Sequence, residues 1–274
     1  MYIRDGHIHT PYCPHGSADS LKKYIERGIE LGYSSMTFTE HAPLPESFID
    51  PVPAKDSGMK REYLEPYIEE LTKLKRTYRK DLEINIGLEI DFIEGYEEET
   101  KRFLDEWGKN LDDAVLSVHF LKLNNKKEYI CLDYSPDSFQ TLIHQLSGIE
   151  KVYEKYYETL IMSIKTDLGN YKPDRIGHIT LARKFQHLFP RNFDDGHLIE
   201  KTLKAVKEQE YTLDINGAGL EKPHCQELYP PEEWVTHSRM MGIKLIYGSD
   251  AHRASQLGKG IEQLNQLSFF SASP

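Results

Sequence analysis

The chain has few cysteines, no long apolar run and a deficit of positive charge, and each shortage excludes a class of protein. Its 274 residues include three cysteines, Cys13, Cys131 and Cys225, an odd and sparse set. A chain of this length buries enough surface to fold without disulfides, so we expect free thiols in a reducing, cytoplasmic setting. No segment approaches the roughly 20 apolar residues that span a bilayer, and the first residues lack the apolar core of a signal peptide.

Positive charge is scarce, with 34 lysines and arginines against 44 aspartates and glutamates and a formal net charge of −10. General binders of nucleic acid or anionic membranes need basic patches, so we expect neither partner. The excess of negative charge also disfavours binding of an anionic substrate, unless positive charges cluster at the binding site. The chain also lacks a GxGxxG motif after a strand and a GxxxxGK[ST] motif, so nucleotide-cradling loops are not indicated.

Short apolar runs alternate with longer amphipathic segments along the chain. The pattern predicts strands at 2–6, 35–39, 82–89, 114–119, 174–178, 211–216 and 244–250. It predicts helices at 20–32, 62–80, 97–108, 137–167, 197–209 and 231–241, and a polar excursion at 120–136 with a turn at Asn124 and Asn125. Such alternation implies parallel strands joined by crossovers. We therefore predict one domain, residues 1–274, with an α/β fold: a distorted seven-stranded (β/α)7 barrel, TIM-like, with a doubly wound open sheet as the alternative.

Histidines and carboxylates gather at the ends of the predicted strands. His7 and His9 leave the first strand two residues apart, so both rings can point to the same side. The residues that follow this strand and the other strands are His15, Glu40, His41, Glu89, His119, His178, Asp250 and His252. In a parallel barrel the carboxyl ends of all strands open on one face. A single histidine at a strand end often has only a structural role. Here a purely structural explanation would be needed independently at six strand ends, so we predict a metal centre instead.

The donor types indicate which ions this centre would take. Imidazole and carboxylate without thiolate suit Zn, Mn or Fe. The candidate ligands are too many for one ion, so we predict two to three divalent metal ions with Glu89 placed to bridge a pair. Two such ions close together can generate hydroxide at neutral pH and clamp a phosphoryl or carbonyl group.

The same residues fall in motifs that resemble the PHP (polymerase and histidinol phosphatase) superfamily. The metal motifs are HIHT at 7–10, TEH at 39–41, GLEID at 87–91, SVH at 117–119, GH at 177–178 and SDAH at 249–252. Three further motifs resemble the histidinol-phosphate phosphatase branch of this superfamily: SADS at 17–20, GHITLARKF at 177–185 and DINGAGL at 214–220. The resemblance runs from residue 7 to residue 252. It implies hydrolysis of L-histidinol phosphate to L-histidinol and phosphate, a reaction of histidine biosynthesis, by attack of a metal-bridging hydroxide.

The resemblance also implies three sets of metal ligands. The sets are His7, His9, Glu89 and Asp250 for one ion, Glu89, His119 and His178 for a second, and His15, His41 and His252 for a third. Glu40 belongs to the motif, and we expect it to orient His41 rather than to bind an ion.

Three further residues are candidates for catalysis and substrate binding. Asp19, or a water near His252, would give the leaving alkoxide its proton, and the alternative for Asp19 is a contact at the start of the first helix. Arg183 would grip the phosphate with its planar guanidinium, and the alternative is a surface charge. The resemblance implies a second arginine after Gly219 and Leu220, where Lys222 is the nearest cation. Lys222, Arg183 and Asp19 are therefore the predicted substrate-binding residues.

Several interpretations stay open at this point. The first is a phosphoesterase of the same family that acts on nucleotides or phosphotyrosine. The second is a related deaminase or amidohydrolase, and the third is a non-catalytic metal-binding module. The Pro-rich segment 43–58 is either a substrate-selecting lid or a surface loop, and Cys13 is expected to be a bystander. We expect a small phosphate ester as partner, because divalent ions would make the mouth locally cationic, and a homo-oligomer is compatible with the sequence.

Overall fold

The computed structural model describes residues 2–123 and 128–271, and these contain nine strands. The strands are β1 (Arg4–Ile8), β2 (Ser35–His41), β3 (Glu83–Asp91), β4 (Asp113–Ser117), β5 (Phe120–Leu123), β6 (Glu128–Cys131), β7 (Arg175–Ile176), β8 (Thr212–Asn216) and β9 (Lys244–Gly248). Seven of them form one parallel sheet in the order β1-β2-β3-β4-β7-β8-β9. Apolar side chains of the sheet and the surrounding helices form the main core.

Backbone hydrogen bonds bring the two edges of this sheet together. The amide of His9 donates to the carbonyl of Ala251 at 3.0 Å, and the amide of Asp250 donates to the carbonyl of His7 at 2.8 Å. The first and last strands therefore meet, and the sheet curls into a nearly closed barrel. The predicted seven-stranded α/β barrel is confirmed, whereas the assignment of residues 1–274 to a single domain stays a prediction.

The helices lie close to their predicted positions, with two exceptions: the predicted helix over 137–167 is divided, and the short helix at 261–266 was not predicted. They are α1 (Leu21–Glu30), α2 (Leu64–Tyr78), α3 (Glu97–Trp107), α4 (Pro136–Gln145), α5 (Ile149–Lys165), α6 (Gly196–Glu208), α7 (Glu232–Met240) and α8 (Ile261–Gln266). The prediction of one helix over 137–167 is wrong, because the chain breaks between α4 and α5. Ser147 has φ 64° and Gly148 has φ 148°, and a right-handed helix cannot continue through such residues.

The polar excursion at 120–136 contains a feature that the sequence did not predict. β5 and β6 pair in an antiparallel hairpin with Phe120 opposite Cys131. Phe120 is buried and packs on Phe48, which also contacts Tyr96. The hairpin thus builds a second, smaller hydrophobic cluster beside the barrel. The predicted turn at Asn124 and Asn125 lies outside the described residues.

A buried ionic network occupies the amino ends of the strands. Arg175, at the start of β7, is fully buried and donates to Asp113 Oδ2 at 2.7 Å and to the Gly6 carbonyl at 2.7 Å. Arg4 donates to the same Asp113 oxygen at 2.6 Å. A Cβ atom on Gly6 would lie 2.3 Å from Arg175 Nη1, so glycine is required beside the guanidinium. We call Arg4, Asp113 and Arg175 the Arg175 network.

Two further observations bear on the sequence-based expectations. The three cysteines are free and buried. Among residues 2–123 and 128–271, no helix combines the length and apolar character required to cross a membrane. The cytoplasmic setting stays a prediction.

Candidate metal centre

The carboxyl ends of the barrel strands open into a cavity of about 430 Å³. Seven of the nine predicted metal ligands line it: His15, His41, Glu89, His119, His178, Asp250 and His252. The other two, His7 and His9, are fully buried, and each ring approaches Glu89. The fold therefore gathers residues that are spread over most of the sequence into one place.

Glu89, near the end of β3, is the centre of this cluster. Its carboxylate approaches five histidine rings: His178 Nε2 at 2.9 Å and His119 Nε2 at 3.8 Å from Oε1, and His41 Nδ1 at 3.0 Å, His7 Nε2 at 3.5 Å and His9 Nε2 at 3.5 Å from Oε2. The hydroxyl of Ser117 donates to Oε1 at 2.6 Å and fixes the carboxylate. Both oxygens thus face histidines on two sides, which is the arrangement required of a carboxylate that bridges two ions.

Three groups of donor atoms lie close enough to hold an ion, with all atoms of a group within 4.8 Å of one another. They are His7, His9 and Glu89; Glu89, His119 and His178; and His9, Cys13, His41 and His252. The first two groups match two of the expected ligand sets, and Asp250 Oδ1 lies 3.1 Å from His9 Nε2, beside the first. The third differs from the expected set of His15, His41 and His252, because it contains His9 and Cys13 and lacks His15.

His15 lies at the outer edge of the centre. It is exposed, and its ring lies 5.2 Å from that of His41 and 5.3 Å from that of His252, measured between centroids. Its Nδ1 hydrogen donates to the Asp56 carbonyl at 2.9 Å, which fixes the ring and leaves Nε2 available.

The donor atoms are arranged to bind divalent ions rather than to form hydrogen bonds with one another. Several buried atoms here have no hydrogen-bond partner: Nε2 of His7 and of His9, Nδ1 of His41 and of His178, and Oε2 of Glu89. Buried polar groups are normally hydrogen-bonded, so a cluster of unpaired ones requires an explanation. Nitrogen and carboxylate oxygen donors are those that Zn, Mn and Fe bind in proteins. The residues present therefore fit the metal ions that the motifs imply.

Carboxylates behind the ligands hold three of the imidazoles in place. Asp214 accepts from His7 Nδ1 at 2.9 Å, and Asp91 accepts from His119 Nδ1 at 2.7 Å. Such pairs fix the ring orientation and raise the basicity of metal-binding histidines. Neither aspartate was assigned a role from the sequence, although both lie in the quoted motifs at 87–91 and 214–220. A carboxylate within or at the end of an otherwise apolar strand is the signal that could have identified them.

Glu40 is the third orienting carboxylate, and its partner differs from the expected one. Its Oε1 accepts from His9 Nδ1 at 3.2 Å, whereas His41 reaches it only through the backbone amide, at 2.9 Å. Successive side chains of a strand point to opposite faces, so Glu40 cannot orient the ring of its neighbour. It reaches across to β1 instead.

The electrostatics of the cluster favour positive charge. Burial by itself would lower the pKa of His7, but the charges of Asp214 and Glu89 raise it well above its usual value. Burial opposes a similar shift at His119, where Asp91 and Glu89 raise the pKa to about 10. Burial would raise the pKa of Glu89, yet His7 and the other rings hold it well below its ordinary range. The carboxylate at the centre is thus ionised and surrounded by groups that compensate it.

Cations line the rest of the cavity: Lys184, Lys222, Arg253 and Lys259. Lys184 donates to the carboxylate of Asp133 at 2.8 Å, and Lys259 pairs with Glu221 at 2.8 Å. Lys222 is exposed and forms no ion pair within the described part of the chain, and partial desolvation of its ammonium group together with the charge of Lys184 lowers its pKa. Four cations and five carboxylates therefore line the cavity, and a net positive charge at the mouth of the barrel requires the divalent ions.

Arg183 and Asp19 lie in different surroundings from those expected. The buried guanidinium of Arg183 donates to Asp195 at 2.6 and 3.0 Å and to Glu227 at 3.3 Å, so its charge is already compensated and its contacts give no support to phosphate binding. Asp19 pairs with Lys23, which lowers its pKa, and accepts from the Ala254 amide at 3.0 Å. A lowered pKa is unfavourable for a proton donor.

The Pro-rich segment 43–58 forms part of the cavity wall. Val52, Asp56 and Ser57 line the cavity, and Phe48 anchors the segment in the second hydrophobic cluster. The Asp50 carboxylate accepts from the amide of Ser57 at 3.0 Å, which ties the segment together. The segment therefore borders the cavity, and its role as a substrate-selecting lid stays a prediction.

Comparisons with known proteins agree with this arrangement. The model of the PHP domain family matches residues 5–218. Histidinol-phosphatase of Bacillus subtilis (strain 168) is 47% identical over 264 residues, 96% of this chain and 98% of that protein. The crystal structure of a candidate histidinol phosphatase from Listeria monocytogenes superposes with a TM-score of 0.90 at 36% identity, covering 95% of this chain and 99% of that one. Histidinol phosphate phosphatase of Lactococcus lactis subsp. lactis Il1403, solved with zinc, L-histidinol and phosphate, shares the fold with a TM-score of 0.71 at 18% identity, covering 97% and 94% of the two chains.

Proposed function

Because this chain belongs to the PHP domain family, we propose that it is a histidinol-phosphatase, an enzyme that hydrolyses L-histidinol phosphate to L-histidinol and phosphate. The observation that carries the proposal is the cluster of metal donors around Glu89, in a chain that is 47% identical to the Bacillus subtilis histidinol-phosphatase over almost its full length. The cavity of about 430 Å³ is of a size that suits a small-molecule ester.

The metal centre holds two to three divalent ions of the Zn, Mn or Fe type. His7, His9, Glu89 and Asp250 bind one, Glu89, His119 and His178 bind a second, and His41 and His252 with His15 bind a third. When bound, such ions supply a nucleophile at neutral pH and neutralise the charge of the phosphoryl group. Asp214, Glu40 and Asp91 hold the rings of His7, His9 and His119, so that the donor atoms face the ions.

The cations of the cavity wall bind the phosphate. Lys222 is the predicted residue for this contact, and Lys184 and Lys259 add positive charge beside it. The carboxylate of Asp195 holds Arg183, and we assign that arginine a positioning role next to Lys184. Of the two predicted sources of the leaving-group proton, only His252 lines the cavity, so Asp19 is assigned to the contact between the start of α1 and the segment after β9.

Phosphate release from a panel of esters tests the proposal. Purified protein is loaded with Zn or Mn and assayed on histidinol phosphate, a nucleoside monophosphate and phosphotyrosine, each with and without a chelator. We expect chelator-sensitive release that is fastest from histidinol phosphate. Preference for the nucleotide or for phosphotyrosine would replace the substrate but keep the reaction class. Failure to release phosphate from any ester in metal-loaded protein would leave only a metal-binding module.

A substitution of Lys222 tests the phosphate contact. Lys222→Met removes one charge-assisted contact, which is worth about 1.5–3 kcal/mol, so we expect KM for histidinol phosphate to rise at least about tenfold. Lys244→Met is the matched control, since Lys244 is exposed at the start of β9, at the opposite end of the barrel. An unchanged KM in Lys222→Met would remove this residue from the substrate site.

A further inference from the structure

The carboxylates of the cavity differ in what they already contact. The cavity is lined by Asp56, Glu89, Asp91, Asp133 and Asp250. Two of them belong to the proposed metal sets, Asp91 holds a ring of the metal centre, and Asp133 accepts from Lys184 at 2.8 Å. The carboxylate of Asp56 forms no hydrogen bond or ion pair with any of residues 2–123 and 128–271. Asp56 is therefore the cavity carboxylate that the protein itself leaves without a partner in this part of the chain.

The turn that carries Asp56 is held in place by a buried carboxylate. Asp50 is 8% exposed and accepts from the Val52 amide at 2.9 Å and from the Ser57 amide at 3.0 Å, on either side of Asp56. Lys55 has φ 54°, a left-handed conformation that costs free energy in a residue other than glycine. Such strain persists only where the surrounding contacts enforce it, so the position of Asp56 is fixed by the fold.

Asp56 lies beside the outer histidine of the metal centre. Its carbonyl accepts from His15 Nδ1 at 2.9 Å. Its carboxylate also acts on this ring, because partial desolvation and the charge of His41 lower the pKa of His15 and the charge of Asp56 opposes that shift. The His15 ring in turn lies 5.3 Å from that of His252, measured between centroids. Asp56 thus brings negative charge to the edge of the proposed phosphoryl site.

A carboxylate at this edge would repel the phosphate of a simple ester, so it requires a substrate that carries a cation of its own. L-histidinol phosphate has an ammonium group on the carbon next to the ester carbon, and this group stays close to the phosphate when the ester binds. A nucleoside monophosphate has no ammonium group there, and in phosphotyrosine the aromatic ring separates the ammonium from the ester. Hydrogen bonds between charged partners are about twice as strong as neutral ones.

We propose that the carboxylate of Asp56 binds the ammonium group of the substrate and selects phosphate esters of vicinal amino alcohols. The inference rests on the proposed function and deepens it, since it names a residue that distinguishes histidinol phosphate from other monoesters. It also gives the segment 43–58 a part in substrate selection that does not require the segment to move.

Two esters that differ only in the amine test this inference. They are histidinol phosphate and its deamino analogue, the same ester with hydrogen in place of the ammonium group. We expect metal-loaded wild-type protein to have a KM at least about tenfold lower for histidinol phosphate than for the analogue, as expected for one charge-assisted contact. In Asp56→Asn and Asp56→Ala the KM for histidinol phosphate should rise to that of the analogue, whose own KM should not rise.

Two further variants serve as controls. Glu46→Gln is the matched control on the same segment, because Glu46 is exposed, pairs with Arg61 at 3.0 Å and does not line the cavity. It should leave both KM values unchanged. Asp133→Asn removes the other cavity carboxylate outside the metal centre, and because it acts through Lys184 it should change both esters to the same extent.

Binding of L-histidinol provides a measurement that does not depend on turnover. By calorimetry on metal-loaded protein, we expect Asp56→Asn to bind L-histidinol at least about tenfold more weakly than the wild type does. Its metal content should be unchanged, because the backbone carbonyl that holds His15 is retained.

The outcomes separate this inference from the proposed function. Equal KM values for the two esters in the wild type would overturn the inference and leave the phosphatase proposal intact. A loss confined to histidinol phosphate in Asp133→Asn but absent in Asp56→Asn would do the same. Failure of the metal-loaded wild type to release phosphate from either ester would overturn the proposed function and the inference with it.

Discussion

The two ends of the barrel bury charge in opposite ways. At the amino ends of the strands, Arg175 donates to Asp113 and to a backbone carbonyl, and Arg4 adds a second cation. At the carboxyl ends, four of the five rings around Glu89 have one nitrogen without a hydrogen-bond partner. At the amino ends Nε of Arg4 and of Arg175 is also unpaired, but both guanidinium charges are paired with Asp113, whereas the unpaired donors around Glu89 lie close together and are complete only with a ligand. The contrast separates a structural charge cluster from a functional one by its geometry alone.

Removing Glu89 should give the largest effect, on metal binding and on catalysis. Glu89→Gln keeps the shape but removes the bridging charge, so we expect metal content to fall and kcat/KM to fall by about 10³-fold or more, since bound ions contribute several kcal/mol to the transition state. Steady-state assays and metal analysis measure this.

Removing the buried charge of Arg175, at the amino ends of the strands, should lower stability and leave metal binding unchanged. Arg175→Met leaves Asp113 with Arg4 as its one cation, so we expect a loss of about 3 kcal/mol in the free energy of unfolding and unchanged metal content of the folded protein. Denaturant unfolding checks it, with the surface pair variant Lys75→Met as a control that should lose about 1 kcal/mol or less. A loss of metal content in folded Arg175→Met as large as that in Glu89→Gln would remove the distinction between the two ends.

An orienting carboxylate should have an intermediate effect that is confined to metal affinity. Asp214→Asn weakens the hold on His7, and we expect zinc to bind about 10–100-fold more weakly. Competition with a chromogenic chelator measures the affinity. Asp167→Asn, on an exposed ion pair with Lys101, is the isosteric control and should bind zinc as the wild type does. Wild-type affinity in Asp214→Asn would mean that the ring of His7 is positioned by packing alone.

The smallest effect should come from adding a methyl group at Gly6, in the space beside the Arg175 guanidinium. Gly6→Ala places a methyl group 2.3 Å from Arg175 Nη1, so we expect a loss of about 1–3 kcal/mol in stability. In the Arg175→Met background the added loss should be smaller, because the guanidinium is gone and only the contact with Ile246 remains. Unfolding of the two single variants and the double variant measures this coupling, and additive losses would contradict it.

Much of the fold was predictable because the pattern of apolar residues is local. Strand and helix alternation gave the seven-stranded barrel, since each element carries its own period. The break at Ser147 and Gly148 was missed because the apolar stripe continues across it from α4 into α5. The β5–β6 hairpin was missed because its stability depends on packing against Phe48 and Tyr96, which lie far away in the sequence.

The donors that cluster around Glu89 were predictable from residue type and strand position, while their supporting contacts were not. His7, His9, Glu89 and Asp250 follow from motifs and from the rule that parallel strands end on one face. No local pattern connects the residues of these contacts. They are the hydrogen bond between Asp214 and His7, the ion pair between Asp195 and Arg183, and the position of Cys13 beside three histidines.

The sequence by itself determined which donors the protein carries and that they meet at one end of a barrel, because strand period and motif spacing are properties of neighbouring residues. Only the tertiary structure decided which donors remain unpaired and which cations are already neutralised. Those outcomes depend on distances between strands and loops that are far apart in the chain, where a shift of one ångström separates a hydrogen bond from an open ligand position. The net charge of −10 shows the same division, since it is a sum over the sequence, whereas the lysines that gather around the cavity are a result of folding.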